Sequence, residues 1–218
     1  MHVAEIWRYP VKSMAGESLD VVEVGALGVT GDRLVQVYNA DELVVTARTH
    51  PRLLGHRGTL GPDGEPRVDG RHWRDPSVLA DVIGIVGAGA TLSREADPKL
   101  RFDVLPLLVA TDGAIAAFGR DRRRLRPNLV IGGVSELEER SWPGARLVIG
   151  DVIIHLDGLR RRCVITTFDP DSLAQDPHVL RDIVQRFAGR LALDSAVVRG
   201  GTIHVGQEVE LVRPRVAA

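Results

Sequence analysis

The sequence predicts a mainly β protein with a few short helices, and three observations support this fold class. Short apolar runs alternate with turn residues from residue 3 to residue 46. Two later stretches, 147–154 and 203–211, each contain an apolar run, a glycine turn and a second apolar run, as barrel hairpins do. Helical periodicity is limited to short stretches. Regularly spaced short strands favour a barrel or a sandwich over alternating βα units.

The N-terminal part of the chain is predicted to form strands over 3–11, 19–24, 34–38 and 43–46. The first strand stops at Pro10, because proline cannot donate a hydrogen bond to a strand ladder. Between the second and third strands, glycines recur at every third position over 25–31 and favour a tight backbone that ends in Asp32 and Arg33. The turn 61–64 predicts a further hairpin.

Helices are predicted over 76–86, 113–118 and 178–187. Pro76 suits the first position of a helix and Asp75 suits its N-cap, while Thr111 and Asp112 precede the short second helix. The third helix is predicted to place four apolar side chains on one face, those of Val179, Ile183, Val184 and Phe187.

The character of the chain changes around residues 98–102, before predicted strands over 105–110 and 128–131. We expect this junction to separate two domains, 1–98 and 99–218. A chain of 218 residues is long enough for two small domains, each with its own core.

The charge balance limits the classes of partner. With 28 basic and 29 acidic side chains the formal net charge is −1, which argues against nucleic acid and against an anionic membrane surface as partners. Any anion site must therefore be local. No apolar run approaches the roughly 20 residues that span a bilayer, and the start lacks the pattern of a signal peptide. One cysteine cannot form an internal disulfide. A reducing cytoplasm is the expected location.

The segment 160–171 contains the only cysteine, Cys163, directly after three arginines. Neighbouring cations favour the thiolate, which is a nucleophile and a ligand for soft metals. A lone cysteine is also commonly a small buried apolar residue, so both interpretations stay open at this point. The basic run 120–126 has two interpretations as well, an anion site or a solvated loop.

The sequence lacks the motifs of several common metal-binding and phosphate-binding sites. It has no paired cysteines for structural zinc, no phosphate-binding glycine loop with lysine, and only scattered histidines. What remains is one thiol together with distributed basic residues. A thiolate suits a soft or redox-active metal, and Arg, Lys and Ser donors suit the phosphate and polar heterocycle of a large anionic cofactor.

Four ordered segments carry a family resemblance: 7–13 (WRYPVKS), 31–33 (GDR), 126–130 (RPNLV) and 162–170 (RCVITTFDP). On these segments the chain resembles the MOSC superfamily, which includes bacterial YcbX-like proteins and the mitochondrial amidoxime-reducing component. The resemblance implies an N-terminal β-barrel-like domain packed on a C-terminal MOSC β-barrel with a few short helices.

The resemblance also implies a molybdenum cofactor, a molybdopterin whose metal takes one sulfur ligand from the protein. Cys163 matches the metal ligand and the catalytic position. The residues that match the cofactor pocket of such proteins are Lys12, Ser13, Arg33, Thr111, Arg126, Asn128 and Arg162. Pyridoxal phosphate binding comes with the resemblance only as a family-level label.

The function implied by the resemblance is an oxidoreductase that reduces N-oxygenated compounds such as hydroxylamines, amidoximes and N-hydroxylated bases. A single cysteine cannot hold an iron–sulfur cluster, so electrons are expected from a separate reductase or ferredoxin-like protein. The alternative is a non-catalytic carrier of molybdenum cofactor, or of sulfur as a persulfide on Cys163. Asp169 is a candidate proton donor or simply a turn residue.

Overall fold

The computed structural model describes residues 1–214, except the side chains of residues 98 and 99. The strands are β1 (His2–Arg8), β2 (Glu17–Leu19), β3 (Val21–Gly25), β4 (Gly28–Val29), β5 (Val35–Tyr38), β6 (Val44–Val45), β7 (Gly58–Leu60), β8 (Pro66–Val68), β9 (Arg71–His72), β10 (Thr91–Arg94), β11 (Leu107–Thr111), β12 (Leu129–Gly132), β13 (Arg146–Ile149), β14 (Val152–Arg161), β15 (Arg190–Arg199), β16 (Gly201–His204) and β17 (Glu210–Val212). The helices are α1 (Pro76–Val86), α2 (Asp112–Phe118) and α3 (Pro177–Phe187). Short 3-10 helices lie at Pro51–Gly55, Pro98–Arg101, Arg122–Arg124, Glu138–Ser141 and Val164–Thr167.

The largest sheet has eight strands in the order β17-β13-β14-β15-β11-β12-β1-β2. Its neighbours are antiparallel except β11 and β12, which run parallel. Three smaller sheets have the orders β10-β5-β6, β16-β3-β4 and β7-β8-β9. The N-terminal strand β1 therefore lies inside a sheet whose other strands, β2 excepted, come from the second half of the chain.

The mainly β fold class is confirmed, with two differences in strand pairing. The ladder of the large sheet runs from β17 to β2 without closing into a barrel. The hairpin predicted over 147–154 is present as β13 and β14 around Gly150. The hairpin predicted over 203–211 is wrong, because β16 pairs with β3 and β17 pairs with β13. An apolar run with a glycine turn predicts a strand, but the free sheet edges decide its partner.

Two large clusters of buried apolar side chains lie on either side of the predicted junction. One cluster is made of side chains from Val11 to Ala90. The other combines the strands after residue 107 with Val3, Ile6 and Val29 of the N-terminal part. The first strands thus pack against the C-terminal core as well as entering its sheet. The division into 1–98 and 99–218 stays a prediction.

The helices α1 and α3 begin and end close to the predicted positions. Asp75 accepts a hydrogen bond from the backbone N–H of Ser77 at 2.8 Å, which caps α1 as predicted. Asp176 caps α3 in the same way, through the N–H of His178 at 3.0 Å. Within the described residues, no helix combines the length and the apolar character needed to cross a membrane.

The prediction that Val184 lies on the buried face of α3 is wrong. Val179, Ile183 and Phe187 are buried at a spacing of four, but Val184 is 56% exposed. Successive helical residues are about 100° apart, so the position after Ile183 points away from the narrow buried stripe.

The orientation of α3 can be tested by comparing two adjacent positions. Ile183→Ala should lower the free energy of unfolding by about 2–5 kcal/mol, because the side chain is 0% exposed and its truncation leaves a cavity. Val184→Ala is the matched control and should change stability by less than about 0.5 kcal/mol. Urea denaturation followed by circular dichroism measures both values. Similar losses in the two variants would contradict the orientation seen in the structure.

Candidate functional site

A deep cleft opens at the seam between the N-terminal segments and the large sheet. Its cavity volume is about 130 Å³, and the cleft is open to solvent. Of the eight residues predicted to form the site, seven line this cleft: Lys12, Ser13, Arg33, Arg126, Asn128, Arg162 and Cys163. These residues come from four separate segments of the sequence, and folding brings them together.

The cleft carries a strong local positive charge. Its lining contains seven basic side chains, those of Lys12, Arg33, Arg48, Arg126, Arg160, Arg161 and Arg162, and two acidic ones, those of Asp103 and Asp194. The whole chain has a net charge of −1. The positive charge is therefore concentrated where an anionic ligand would bind.

The loop after β1 carries Lys12 and Ser13. The backbone N–H of Lys12 donates to the carbonyl of Val35 at 2.8 Å, which fastens the loop to β5. Lys12 Nζ lies 3.1 Å from Asp103. Ser13 has a positive φ of 72° and is buried, and its hydroxyl has no hydrogen-bond partner among the described residues. A hydroxyl held in this way can still donate to a ligand.

Asp32 holds three segments of the site together. Its carboxylate is 2% exposed and accepts hydrogen bonds from the backbone N–H of Tyr9 at 2.7 Å and from Asn128 Nδ2 at 3.2 Å. It also forms an ion pair with Arg33. Asn128 Oδ1 accepts from the N–H of Leu108 at 3.1 Å, so this amide links β11 to the Asp32 cluster. The predicted ligand Asn128 is thus engaged mainly with the protein itself.

Tyr9 lies between two arginines of the cleft. The guanidinium carbon of Arg126 is 4.3 Å from the centre of the Tyr9 ring, and that of Arg33 is 5.4 Å away. The phenol donates to the carbonyl of Pro127 at 3.0 Å. Burial raises the pKa of Tyr9 to about 12, although the two arginines oppose the rise. The phenol is therefore neutral at physiological pH.

Arg126 is a desolvated cation without a counterion. Among the described residues its guanidinium forms no ion pair and no hydrogen bond, and it contacts only the face of Tyr9. Burial lowers its pKa, which Tyr9 partly offsets. A partly buried cation that lacks acceptors gains stability from an anion bound in the cleft.

Arg162 and Cys163 follow directly after β14. Arg162 donates to the carbonyl of Leu125 at 2.7 Å, while its Nε is buried without a partner among the described atoms. Burial lowers the pKa of Arg162 to about 10, against the effect of Cys163. The carbonyl of Cys163 accepts from the N–H and the hydroxyl of Thr166, which starts the 3-10 helix Val164–Thr167. Cys163 is half-buried, so its thiol is accessible from the cleft.

Sequence reasoning missed three charged residues of the site, Arg48, Asp103 and Asp194. Arg48 donates to Asp103 at 2.5 Å and lines the same cleft as Cys163. Asp103 also pairs with Lys12, and Arg160 pairs with Asp194 at 2.9 Å. Burial would raise the pKa of Asp103, but Lys12 and Arg48 outweigh it and hold the pKa below its ordinary value. Asp103 adjoins the junction recognised in the sequence, whereas no sequence signal marked Arg48.

Thr111 is the one predicted site residue that lies elsewhere. Its hydroxyl is fully buried, accepts from the N–H of Ala114 at 3.2 Å and donates to Glu139 at 2.9 Å. Thr111 therefore caps α2 and packs against a buried carboxyl group whose pKa is raised by burial. Thr111 does not line the cleft, and its role as a cofactor contact stays a prediction.

The basic run 120–126 is largely paired with acidic side chains. Arg123 contacts Asp171 at 2.7 Å and Arg124 contacts Asp169 at 3.0 Å, so the run braces the loop after Cys163. Asp169 also accepts from the backbone of Ser172, and these hydrogen bonds lower its pKa. Asp169 does not line the cleft, and its contacts are those of a turn residue.

Comparison with known families agrees with the four sequence segments. The family model for the MOSC domain matches residues 114–210, and the model for the MOSC N-terminal beta barrel domain matches residues 1–71. The chain belongs to the MOSC superfamily. The seven predicted residues that line the cleft lie within the two matched regions, whereas Asp103 lies between those regions.

Relatives of this MOSC protein include amidoxime-reducing components. The chain is 26% identical to human mitochondrial amidoxime-reducing component 1 over 227 residues, covering 78% of this chain and 67% of that protein. It is 25% identical to mouse mitochondrial amidoxime-reducing component 1 over 281 residues, covering 96% of this chain and 82% of that protein. Among solved structures, the YUAD protein from Bacillus subtilis has the same fold, with a TM-score of 0.55 and 13% sequence identity. The match covers 98% of this chain and 96% of that one.

The burial of Tyr9 predicts that its phenol ionises at a higher pH than an exposed tyrosine. Of the two tyrosines in this MOSC protein, Tyr9 should ionise near pH 12, a step that Tyr9→Phe removes and Tyr38→Phe retains. Because folding raises the pKa above 10.0, the stabilising effect is present below pH 10.0 and is lost as the pH rises toward about 12. Absorbance titration measures the step, and thermal unfolding over the same range measures the stability. A Tyr9 phenol that titrates at its ordinary value would contradict the burial of the phenol.

Proposed function

We propose that this MOSC protein binds a molybdenum–molybdopterin cofactor in the cleft and reduces N-oxygenated compounds with electrons from a separate donor. The observation that carries the proposal is one cleft that combines an accessible thiol with basic groups lacking acceptors. The relatives named amidoxime-reducing components support an N-reductive activity. Substrates of the proposed reaction are hydroxylamines, amidoximes and N-hydroxylated bases.

The donors in the cleft fit a large anionic cofactor. Arg126 has no acceptor among the described residues, and Arg162 Nε and the Ser13 hydroxyl have none either. Lys12 and Arg33 add charge from the other side of the seam. These residues would hold the phosphate and the polar edges of the pterin, and Cys163 would supply a thiolate to the metal. When bound, the cofactor supplies two-electron redox chemistry.

In the proposed reaction, the protein's own residues position the Cys163 thiol and supply positive charge to the site. Arg48, which donates to Asp103, lines the cleft together with Cys163 and adds positive charge to the site. The N–H and the hydroxyl of Thr166 both donate to the carbonyl of Cys163, which fixes the backbone of the cysteine at the start of the 3-10 helix. The strand β14 precedes Cys163 closely, and the 3-10 helix Val164–Thr167 follows it directly. Such rigid support on both sides suits a metal ligand, whose geometry must not change between turnovers.

The overall reaction consumes electrons that this chain cannot draw from a nicotinamide by itself. Reduction of a hydroxylamine to an amine breaks the N–O bond and uses two electrons and two protons, with water as the second product. The sequence contains no dinucleotide fingerprint and a single cysteine. A reductase or a ferredoxin-like protein is therefore the proposed electron donor. A cytoplasmic location belongs to the same proposal, while the named relatives are mitochondrial.

Cofactor loading tests the proposal directly. The protein purified from a molybdopterin-competent host should contain close to one molybdenum and one pterin per chain, and protein from a deficient host neither. Arg126→Gln should lower the pterin content because it removes the unpaired cation, while the exposed Arg181→Gln is a matched control. Elemental analysis and pterin fluorescence measure the content. Loaded protein that reduces no amidoxime or hydroxylamine with reduced methyl viologen would favour the carrier alternative.

The role of Cys163 is tested by a nearly isosteric substitution. Cys163→Ser should keep the fold and part of the pterin, because Lys12, Arg33 and Arg126 remain, but benzamidoxime reduction should fall by about 100-fold or more. The reason is that a hydroxyl is a poor ligand for a soft metal. Rates are compared at equal molybdenum content with an artificial donor. Equal rates in the two proteins would remove Cys163 from the mechanism.

A further inference from the structure

A groove leads from Cys163 across the ends of two paired strands. It is an open space of about 1110 Å³, and its lining includes Arg161 at the end of β14 and Arg190 at the start of β15. These two residues are direct partners across the antiparallel pair. Directly opposite side chains have Cβ atoms about 4.5–5.5 Å apart, so the two guanidinium groups reach the same space.

Two like charges placed opposite each other destabilise a sheet unless another group compensates them. Among the described residues, neither Arg161 nor Arg190 has an acidic partner, and both are exposed. Of the other arginines in the groove lining, Arg160 pairs with Asp194 and Arg48 pairs with Asp103, while Arg162 is half-buried and donates to the carbonyl of Leu125. Among the described residues of the lining, Arg161 and Arg190 are therefore the exposed cations that no acidic side chain compensates.

We propose that Arg161 and Arg190 together bind a carboxylate or phosphate group carried by the substrate. The inference rests on the proposed function and narrows its substrate class to anionic N-oxygenated compounds. Guanidinium groups bind carboxylates and phosphates with two parallel hydrogen bonds, and two converging groups enclose one such anion. The anionic group would lie beside Cys163, which lines the same groove two residues beyond Arg161.

The geometry favours a small anion over the acidic face of a protein donor. Protein surfaces that steer a charged partner spread their charges over a wide area, whereas this pair occupies a single cross-strand position in the groove lining. The strands β14 and β15 hold the pair in place through a long antiparallel ladder. Asp157, the unpaired acidic residue of the groove lining, adds a negative charge that works against a broad acidic partner.

The test compares two substrates that differ only in charge. Benzamidoxime and 4-carboxybenzamidoxime are reduced by the loaded full-length protein with reduced methyl viologen, and the ratio of their kcat/KM values is measured. The wild type should prefer the carboxylate, and Arg161→Gln/Arg190→Gln should lower the ratio by about tenfold, which corresponds to about 1.4 kcal/mol. The charge-matched control Arg146→Gln/Arg181→Gln, whose residues are exposed outside this groove, should keep the wild-type ratio.

A binding measurement separates this inference from the proposed function. Titration calorimetry of 4-carboxybenzamidoxime without an electron donor should show a weaker complex for the double variant in the groove than for the control variant. If neither substrate is reduced, the proposed function fails, and the calorimetry still decides the role of the pair. An unchanged substrate ratio together with unchanged binding overturns the inference. A loss of rate that occurs only with a protein donor also overturns it, in favour of a donor-docking role.

Discussion

The buried carboxylate of Asp32 is the constraint on which the rest of the site depends. It joins the end of β1 at Tyr9, the loop at Arg33 and the start of β12 at Asn128. Burying a charge costs free energy unless it is paired and hydrogen-bonded, and here three donors satisfy it. Loss of this carboxylate would free Arg33 and the amide of Asn128 together. The seam between the two halves of the chain is therefore organised by electrostatics as well as by apolar packing.

The cleft concentrates positive charge that the protein only partly compensates. Asp103 pairs with Lys12 and Arg48, while Arg126 and Arg162 have no acidic partner among the described residues. Burial lowers the pKa of both arginines, which means that the folded protein bears a cost for keeping them charged. Such a cost is common at ligand sites, where the ligand supplies the missing charge.

The strand order explains why the cleft lies at a seam. Because β1 enters the large sheet next to β12, the loop carrying Lys12 and Ser13 emerges beside the segment that carries Arg126. The pairing of β16 with β3 fastens the other end of the chain to the same N-terminal part. Ligands commonly bind where two such units meet, since each unit supplies one wall.

Several features were determined by the sequence alone because they depend on local chemistry. The capped helices α1 and α3, the hairpin of β13 and β14 and the proximity of Cys163 to a basic segment all follow from periodicity, caps and adjacency. The four family segments identified seven of the residues that line the cleft. Only the tertiary structure decided that β16 pairs with β3, that Thr111 faces Glu139, and that Arg48 lines the same cleft as Cys163. The reason is physical: strand partners and ion pairs across the fold are selected by which edges and charges meet in space, and neighbours along the chain do not encode that choice.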